Sequence, residues 1–308
     1  MQDTTTRLSP EALARLGTLE WRARTVVEGF LAGQHRSPYH GYSVEFAEHR
    51  AYNPGDPLRH VDWKVLAKTD RLFVKRFEEE TNLRHLALLD TSGSMRYAGA
   101  GPTTKLAYGA LLCAALHTLL VRQRDATGLV TFNDGVQTLV PPRASRAHLA
   151  PLLSALDTVQ EAPSAPARTA AAQSLTDIAE RLTRRSLVTV VSDLYENVGE
   201  ASDLHRALRL LRTRGHEVVV FHVLDAATEV RLDVDDRPTT FVDAETGERL
   251  TTHPADIRAA YREAMDDYVE DFRRACHAQH IDFVPLDTAT PFDVALAAYL
   301  HARRRVAG

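Results

Sequence analysis

The sequence predicts an α/β protein whose main domain is a doubly wound, mostly parallel sheet, preceded by an N-terminal helix and a small β-rich extension. From about residue 83 onward, short apolar runs typical of strands alternate with longer segments of helical periodicity. The run at 85–89 is almost continuously apolar, as expected of a parallel strand covered on both faces. We therefore divide the chain into residues 1–82 and a main domain of residues 83–308.

The first 82 residues differ from the rest in their pattern. Ser9 and Pro10 are typical of a helix start and Gly33 of a helix end, so one helix is expected between them. Residues 34–82 combine turn signals with short alternating runs, which predicts strands and loops. Acidic and basic side chains are balanced in this extension, which argues against a phosphate-binding patch. The sequence leaves open whether the extension is an independent domain.

The elements of the main domain follow in chain order from periodicity and turn signals. The helix at 103–122 is apolar almost all round, so it is expected to be buried. Asn133-Asp134-Gly135 between two apolar runs predicts a hairpin, which places one antiparallel strand on the sheet. A second, small hairpin is expected at about 230–252. The other expected elements are helices at 146–158 and 173–184, a strand at 187–191, a helix at 201–214, a strand at 218–223, a helix at 255–279, a strand at 281–286 and a helix at 292–304.

Composition excludes several classes of protein. The net charge is −4 and no block of like charge occurs, which argues against nucleic-acid binding and against a membrane-surface helix. The two cysteines, Cys113 and Cys276, form no CxxC pair, so a reduced compartment is favoured over a disulfide framework. The N-terminus lacks the pattern of a signal peptide, and the most apolar stretch, 110–121, is too short to span a bilayer. We expect a cytoplasmic protein without a membrane span.

The chemistry of the chain is concentrated where the strand at 85–89 ends. Asp90 follows that strand directly, and Ser92 and Ser94 follow at every second position. One carboxylate and two hydroxyls in a single tight turn form a compact set of oxygen ligands. Such ligands suit a hard cation, Mg²⁺ first, with Mn²⁺ and Ca²⁺ as alternatives.

A second aspartate is expected at the same edge of the sheet. Asp193 follows the apolar strand at 187–191, just as Asp90 follows its own strand. Ligands of open α/β sheets bind outside the carboxyl ends of the strands, so both aspartates are expected to face one crevice. Thr169, in the loop before the helix at 173–184, could add a further hydroxyl.

Two other roles for Asp90 remain open. It could be a turn or cap residue at a strand end, the role that we expect for Asp225 and Asp287. It could instead be the nucleophile of a metal-assisted hydrolase or phosphoryl-transfer enzyme, with Asp193 holding the metal. The chain has no P-loop, HExxH or GxSxG motif, and Ser92 stands where haloacid-dehalogenase-type phosphatases have a second aspartate. A non-enzymatic role is therefore favoured.

The DxSxS run of Asp90 to Ser94 resembles the metal-ion-dependent adhesion site of von Willebrand factor A-type domains. The order of strands and helices is similar as well, over about residues 83–303. The chain departs from that family in the second loop, where Arg168-Thr169-Ala170 stands in place of Gly-Thr-Asp. The resemblance implies a divalent metal held by Asp90, Ser92, Ser94, Thr169 and Asp193.

The segment at 48–82 resembles the signature of a bacterial family, domain-of-unknown-function family number fifty-eight, in which it precedes an A-type domain. This resemblance implies an adaptor or co-chaperone of a MoxR-type AAA+ ATPase that acts on an unknown client protein. An acidic side chain of a partner would then complete the metal shell. The matching residues could equally form ion pairs and a core anchor, a structural role that we favour for them. They are Arg50, Tyr52, Pro54, Gly55, Asp56, Arg59, Asp62, Trp63, Lys75 and Glu78.

Overall fold

The computed structural model places the N-terminal helix in the main unit of the protein. It describes Pro10, Leu13 and residues 17–34, 49–51, 72–75, 83–99, 103–162, 170–195 and 201–307. The chain forms two compact units, Met1–His35 with Leu83–Gly308, and Arg36–Asn82. The sequence had grouped the helix with the extension. The structure separates them because the helix buries an apolar face against the main unit.

The N-terminal helical segment is interrupted, in contrast to the single helix predicted from Ser9 to Gly33. Pro10 and Leu13 are helical, Gly17 and Thr18 are not, and helix α1 is Leu19–Gln34. The Thr18 hydroxyl accepts a hydrogen bond from the backbone N–H of Trp21 at 3.4 Å, which is a helix-start contact. Glycine lowers helix propensity and so favours the break.

The described part of the second unit is an antiparallel pair of short strands, β1 (His49–Ala51) and β2 (Phe73–Lys75), with Arg50 opposite Val74. Strands were predicted for this extension. Most residues of the family signature lie outside the described part of the chain, so their roles stay predictions: Tyr52, Pro54, Gly55, Asp56, Arg59, Asp62, Trp63 and Glu78.

The main unit contains a six-stranded sheet. Its strands are β3 (Arg84–Asp90), β4 (Ala126–Phe132), β5 (Val136–Arg143), β6 (Leu187–Ser192), β7 (Glu217–Leu224) and, near the end of the chain, Asp282–Asp287. A separate antiparallel hairpin is formed by β8 (Thr239–Val242) and β9 (Arg249–Thr252), so the final strand is β10. This hairpin lies within the small excursion predicted at 230–252.

The order of the sheet is β10-β7-β6-β3-β4-β5, and only β5 is antiparallel to its neighbour. The predicted hairpin at Asn133-Asp134-Gly135 accounts for this edge strand, because a tight turn joins β4 to β5 directly. All other connections on the sheet are crossovers that contain helices. The predicted mostly parallel sheet with one antiparallel edge strand is confirmed.

Helices cover both faces of the sheet, as the doubly wound prediction requires. They are α2 (Lys105–Arg122), α3 (Leu149–Glu161), α4 (Ala171–Arg181), α5 (Ala201–Thr213), α6 (Pro254–Ala278) and α7 (Asp293–Ala307). Ala87 and Leu89 of β3 share a core with α1, α2, α3 and α7. Leu86 and Leu88 point to the opposite face and share a second core with α4, α5 and α6.

Helix α2 lies between the sheet and its neighbouring helices. Within the described residues it alone is long and apolar enough to cross a membrane, yet 89% of its most apolar window is buried inside the protein. Such burial is typical of a core helix, and length and composition by themselves are weak evidence for a membrane span.

Candidate functional site

The sheet brings Asp90 and Asp193 to one edge, as their positions at strand ends predicted. Strands β3 and β6 are parallel neighbours, with Leu89 opposite Val191. Asp90 is the last residue of β3, and Asp193 follows the last residue of β6. Both side chains are fully buried. The two carboxylates are therefore close neighbours at the carboxyl ends of the two central strands.

In the turn after β3, hydrogen bonds link the Asp90 carboxyl to Ser92 and the Ser92 hydroxyl to that of Ser94. Asp90 Oδ1 accepts a hydrogen bond from the backbone N–H of Ser92 at 2.9 Å. The Ser92 and Ser94 hydroxyl oxygens lie 3.0 Å apart. The hydroxyl of Ser192, at the end of β6, donates to Asp90 Oδ2 at 2.6 Å. The loop itself is held by Thr91, whose backbone N–H donates to the carbonyl of Phe132 at 2.8 Å.

The turn that carries Asp193 has an uncommon backbone conformation. Leu194 adopts φ 55°, in the left-handed region that leucine rarely occupies. Its side chain is buried in the core, and its backbone N–H donates to the Ser192 hydroxyl at 2.9 Å. The Tyr268 hydroxyl donates to the Leu194 carbonyl, and His222 Nε2 lies 2.9 Å from the Asp193 carbonyl oxygen. The surrounding contacts thus hold a strained turn, which is common at functional sites.

A buried lysine contacts the same site. Lys105, the first residue of α2, donates from Nζ to Asp193 Oδ2 at 2.7 Å and also to Glu229 Oε1. The side chains of Lys105 and Asp193 are 0% exposed, and that of Glu229 is 14% exposed. Glu229 lies on the single π-helical turn Ala226–Val230 after β7, and its other oxygen accepts from the Asp225 N–H at 2.8 Å.

The site carries more negative than positive charge. Among the described residues, three carboxyl groups, those of Asp90, Asp193 and Glu229, lie beside the one ammonium of Lys105, so the site carries a charge of −2 when all three are ionised. Burial, reinforced by the neighbouring Asp193, raises the pKa of Asp90 to about 7. Burial also raises the pKa of Glu229, with Lys105 opposing the shift. Burial alone would lower the pKa of Lys105, but the carboxylates of Asp193 and Glu229 outweigh it and raise that pKa.

The donor set fits a hard divalent cation with water in its shell. The Ser92 and Ser94 hydroxyls hydrogen-bond to each other at 3.0 Å. Adjacent ligands of an octahedral Mg²⁺ lie about 2.9 Å apart, so the two hydroxyls could become adjacent ligands with little movement. A dication would also balance the charge of −2 that the site carries when Asp90 is ionised, and uncompensated buried charge is costly. In the described residues no three His, Cys, Asp or Glu side chains are grouped to hold a metal. Any metal here would therefore depend on the hydroxyls and on water.

The fifth predicted ligand, Thr169, lies outside the described residues. Its neighbour Ala170 donates a backbone hydrogen bond to the Asn133 carbonyl at 2.8 Å. The role of Thr169 therefore stays a prediction.

Asp225 and Asp287, expected to be turn or cap residues, have such contacts. Asp225 Oδ1 accepts from the backbone N–H of Thr228 at 2.8 Å and caps the π-helical turn. Asp287 Oδ1 accepts from the N–H of Ala289 at 3.2 Å. Strand-end aspartates of this sheet therefore fall into two kinds, and only Asp90 and Asp193 share a buried oxygen cluster.

The site opens to a cavity of about 850 Å³. Ser94, Tyr97, Tyr195 and Glu229 form one wall, and the β8–β9 hairpin forms the other. A group from another molecule could thus approach Ser94 and Glu229, although Asp90 itself is buried.

Asp90 is poorly placed to act as a nucleophile. Each of its carboxylate oxygens accepts a hydrogen bond, one from the Ser92 N–H and one from the Ser192 hydroxyl. A nucleophilic carboxylate must be ionised and accessible to its target, whereas Asp90 is fully buried and burial raises its pKa to about 7. The geometry gives the enzymatic alternative no support.

Sequence reasoning missed Lys105, Glu229 and Ser192. Lys105 is the only lysine in a mostly apolar, buried helix whose other charged residue, Arg122, is its last, and this isolation is a signal that could have identified it. Ser192 could have been noticed as the residue between the apolar strand and Asp193. Glu229 offers no local signal, because it lies on a short turn 124 positions from its lysine partner.

The fold and the DxSxS turn define a von Willebrand factor A-like α/β domain. More particularly, the chain belongs to the family described as "Protein of unknown function DUF58", whose model matches residues 48–270. The uncharacterized proteins Mb1516 of Mycobacterium bovis and Rv1480 of Mycobacterium tuberculosis are each 27% identical over 298 residues, covering 96% of this chain and 91% of theirs.

Solved structures with a similar fold include the conserved hypothetical protein BatB from Bacteroides thetaiotaomicron, at 15% identity and a TM-score of 0.46, covering 72% of this chain and 99% of that one. The SpRpn10 VWA domain is 11% identical with a TM-score of 0.40, covering 70% of this chain and 93% of that one.

Proposed function

We propose that the protein is a metal-dependent protein-interaction module rather than an enzyme. The observation that carries this proposal is the buried oxygen cluster in which the Asp90 carboxyl contacts Ser92 and Ser92 contacts Ser94, beside Asp193 and its ion pair with Lys105. Asp90, Ser92 and Ser94 would hold the metal, with Asp193 and Thr169 as further ligands. When bound, Mg²⁺ would supply a coordination position for an acidic side chain of another protein.

The partner side of the proposal rests on the family resemblance. We propose a MoxR-type AAA+ ATPase as one partner and an unknown client protein as the other, with this chain as a cytoplasmic adaptor or co-chaperone in the assembly or remodelling of that client. The cavity beside Ser94 supports this role, because it gives a partner's side chain access to an otherwise buried site.

Titration calorimetry with MgCl₂ tests the metal. Wild-type protein should bind Mg²⁺, and Asp90→Asn should lose that binding while staying folded, because the amide keeps the shape but not the charge. Asp287→Asn is the matched control, since it changes a strand-end aspartate of the same sheet outside the oxygen cluster. The metal role would be wrong if wild-type protein bound no Mg²⁺ at millimolar concentrations.

A pull-down tests the partner. Immobilised wild-type protein should retain the MoxR-type ATPase of the same organism in Mg²⁺ and release it in EDTA. Asp90→Asn should retain less ATPase than Asp287→Asn. Equal retention by both variants, indifferent to EDTA, would separate ATPase binding from the metal site and refute the metal-dependent bridge.

A further inference from the structure

Lys105 is a cation built into the proposed metal site. Its ammonium is fully buried, and the rings of Tyr195 and Tyr97 lie with their centroids 5.1 and 5.8 Å from Nζ. Lysine is almost never buried without a partner, and here it has two, Asp193 and Glu229. Neither the DxSxS turn nor the second strand end needs a lysine for metal binding, so this residue requires its own explanation.

Lys105 and its partner Glu229 are each fixed in place by contacts within their own element of the fold. The Thr104 hydroxyl caps α2 by accepting from the Ala107 N–H at 3.0 Å, which fixes the first turn that carries Lys105. Glu229 is fixed in turn by the Asp225 N–H. Lys105 would thus keep one carboxylate partner, Glu229, even when Asp193 is engaged elsewhere.

Asp193 is shared between the lysine and the proposed metal. The ammonium lies 2.7 Å from one oxygen of that carboxylate, while from the described residues the other oxygen accepts one long hydrogen bond, 3.3 Å, from the Tyr195 N–H. A cation held through the same carboxylate would be close to a like charge, and buried like charges are poorly screened.

We propose that Lys105 regulates metal affinity as an internal competitor. In the metal-free protein it neutralises Asp193. When a divalent cation is bound, Lys105 retains its bond to Glu229 and shares or gives up Asp193. The consequence is weak metal binding by the isolated protein, strengthened when an acidic group of a partner adds negative charge. This inference rests on the proposed function, because it concerns the affinity of the same site.

Calorimetry with MgCl₂ on three full-length proteins tests the competition. Lys105→Met keeps the length of the side chain without its charge and should bind Mg²⁺ about tenfold more tightly, or better, than wild type. Lys105→Arg keeps the charge and should not bind more tightly than wild type. If Lys105 merely positions Asp193 as a ligand, Lys105→Met should instead bind more weakly, as expected after loss of a group that orients a metal ligand.

A second variant guards against loss of folding. Lys105→Met leaves Asp193 and Glu229 without their counter-ion. We therefore also measure the double variant Lys105→Met with Glu229→Gln, which has the same net charge as wild type. Near-ultraviolet circular dichroism checks that each variant is folded. Tighter Mg²⁺ binding by either folded variant supports competition. If the folded variants bind Mg²⁺ no more tightly than wild type, the competition is overturned. The proposed metal-dependent function would still stand in that case, provided that wild type binds Mg²⁺. No binding by any of the proteins would reject both.

Discussion

Replacing Asp90 by asparagine should stabilise the metal-free protein at alkaline pH. The folded-state pKa of Asp90 is raised from 3.8 to about 7 by burial and by Asp193. Between those two values the folded protein holds a proton that the unfolded chain has released. Stability from this group is therefore present at low pH and lost as pH rises towards 7. Asparagine has no proton to lose and escapes that loss.

The size of the effect follows from the pKa shift. A difference of about 3 pKa units corresponds to about 4 kcal/mol at pH 8, at roughly 1.4 kcal/mol per unit. The Ser192 hydroxyl, which donates to Asp90, would lose its acceptor to the new amide, which costs about 1 kcal/mol. The net gain in the free energy of unfolding should be about 3 kcal/mol at pH 8 and below about 1 kcal/mol at pH 5.

Urea unfolding in EDTA at the two pH values measures this gain. If Mg²⁺ binds only the wild type, Mg²⁺ at 100 times its Kd should stabilise the wild type by about 2.7 kcal/mol and nearly cancel the advantage of Asp90→Asn at pH 8. At 1,000 times its Kd the stabilisation is about 4.1 kcal/mol, which should reverse the order of the two proteins. A gain that is the same at pH 5 and pH 8 would refute the electrostatic reasoning. A loss of stability at pH 8 in EDTA would refute it as well.

Three further outcomes concern the scaffold. Burial lowers the pKa of His117 to about 3, so the stability that His117 contributes falls as pH drops below its unfolded pKa of 6.5. Between pH 7 and pH 5, urea unfolding should show that wild type loses about 2 kcal/mol more of its free energy of unfolding than His117→Gln does. Equal losses in the two proteins would contradict this. Gly128→Ala should destabilise by about 2–3 kcal/mol, because the added carbon would lie 2.6 Å from a backbone carbonyl oxygen of the adjacent strand. Gly135→Ala, with open space around its added carbon, is the control and should change stability by less than about 0.5 kcal/mol; similar effects in urea for both variants would disprove the steric argument. Thr104→Ala removes the cap of α2 and should cost about 1 kcal/mol in thermal unfolding, and an unchanged midpoint would show that the cap contributes nothing.

Much of the fold was predictable because hydrophobic periodicity reports burial directly. The strand predicted at 187–191 is β6, Leu187–Ser192, and the helix predicted at 255–279 is α6, Pro254–Ala278. Differences of one to three residues fall at element ends, where caps rather than periodicity decide; the helix predicted at 146–158, for example, is Leu149–Glu161. The break at Gly17 was missed because the apolar spacing continues across it, and spacing alone does not detect a local loss of helix hydrogen bonds.

The candidate site, like the fold, was predictable in part from the sequence. Asp90, Ser92 and Ser94 lie within five residues, so their proximity follows from chain connectivity and is visible in the sequence. Asp193 could be added because parallel strands end at a common edge, and the structure pairs β3 with β6 as that reasoning required.

The sequence by itself determined the class of fold and the oxygen-rich turn after β3, since both depend on local spacing. Only the tertiary structure decided the charge at that turn. Lys105 meets Asp193 and Glu229 across 88 and 124 positions of the chain, through α2 and the turn after β7. Such contacts depend on how helices pack at the end of the sheet, and short-range patterns carry no record of that packing. The proposed metal affinity therefore rests on a lysine whose effect appears only in three dimensions.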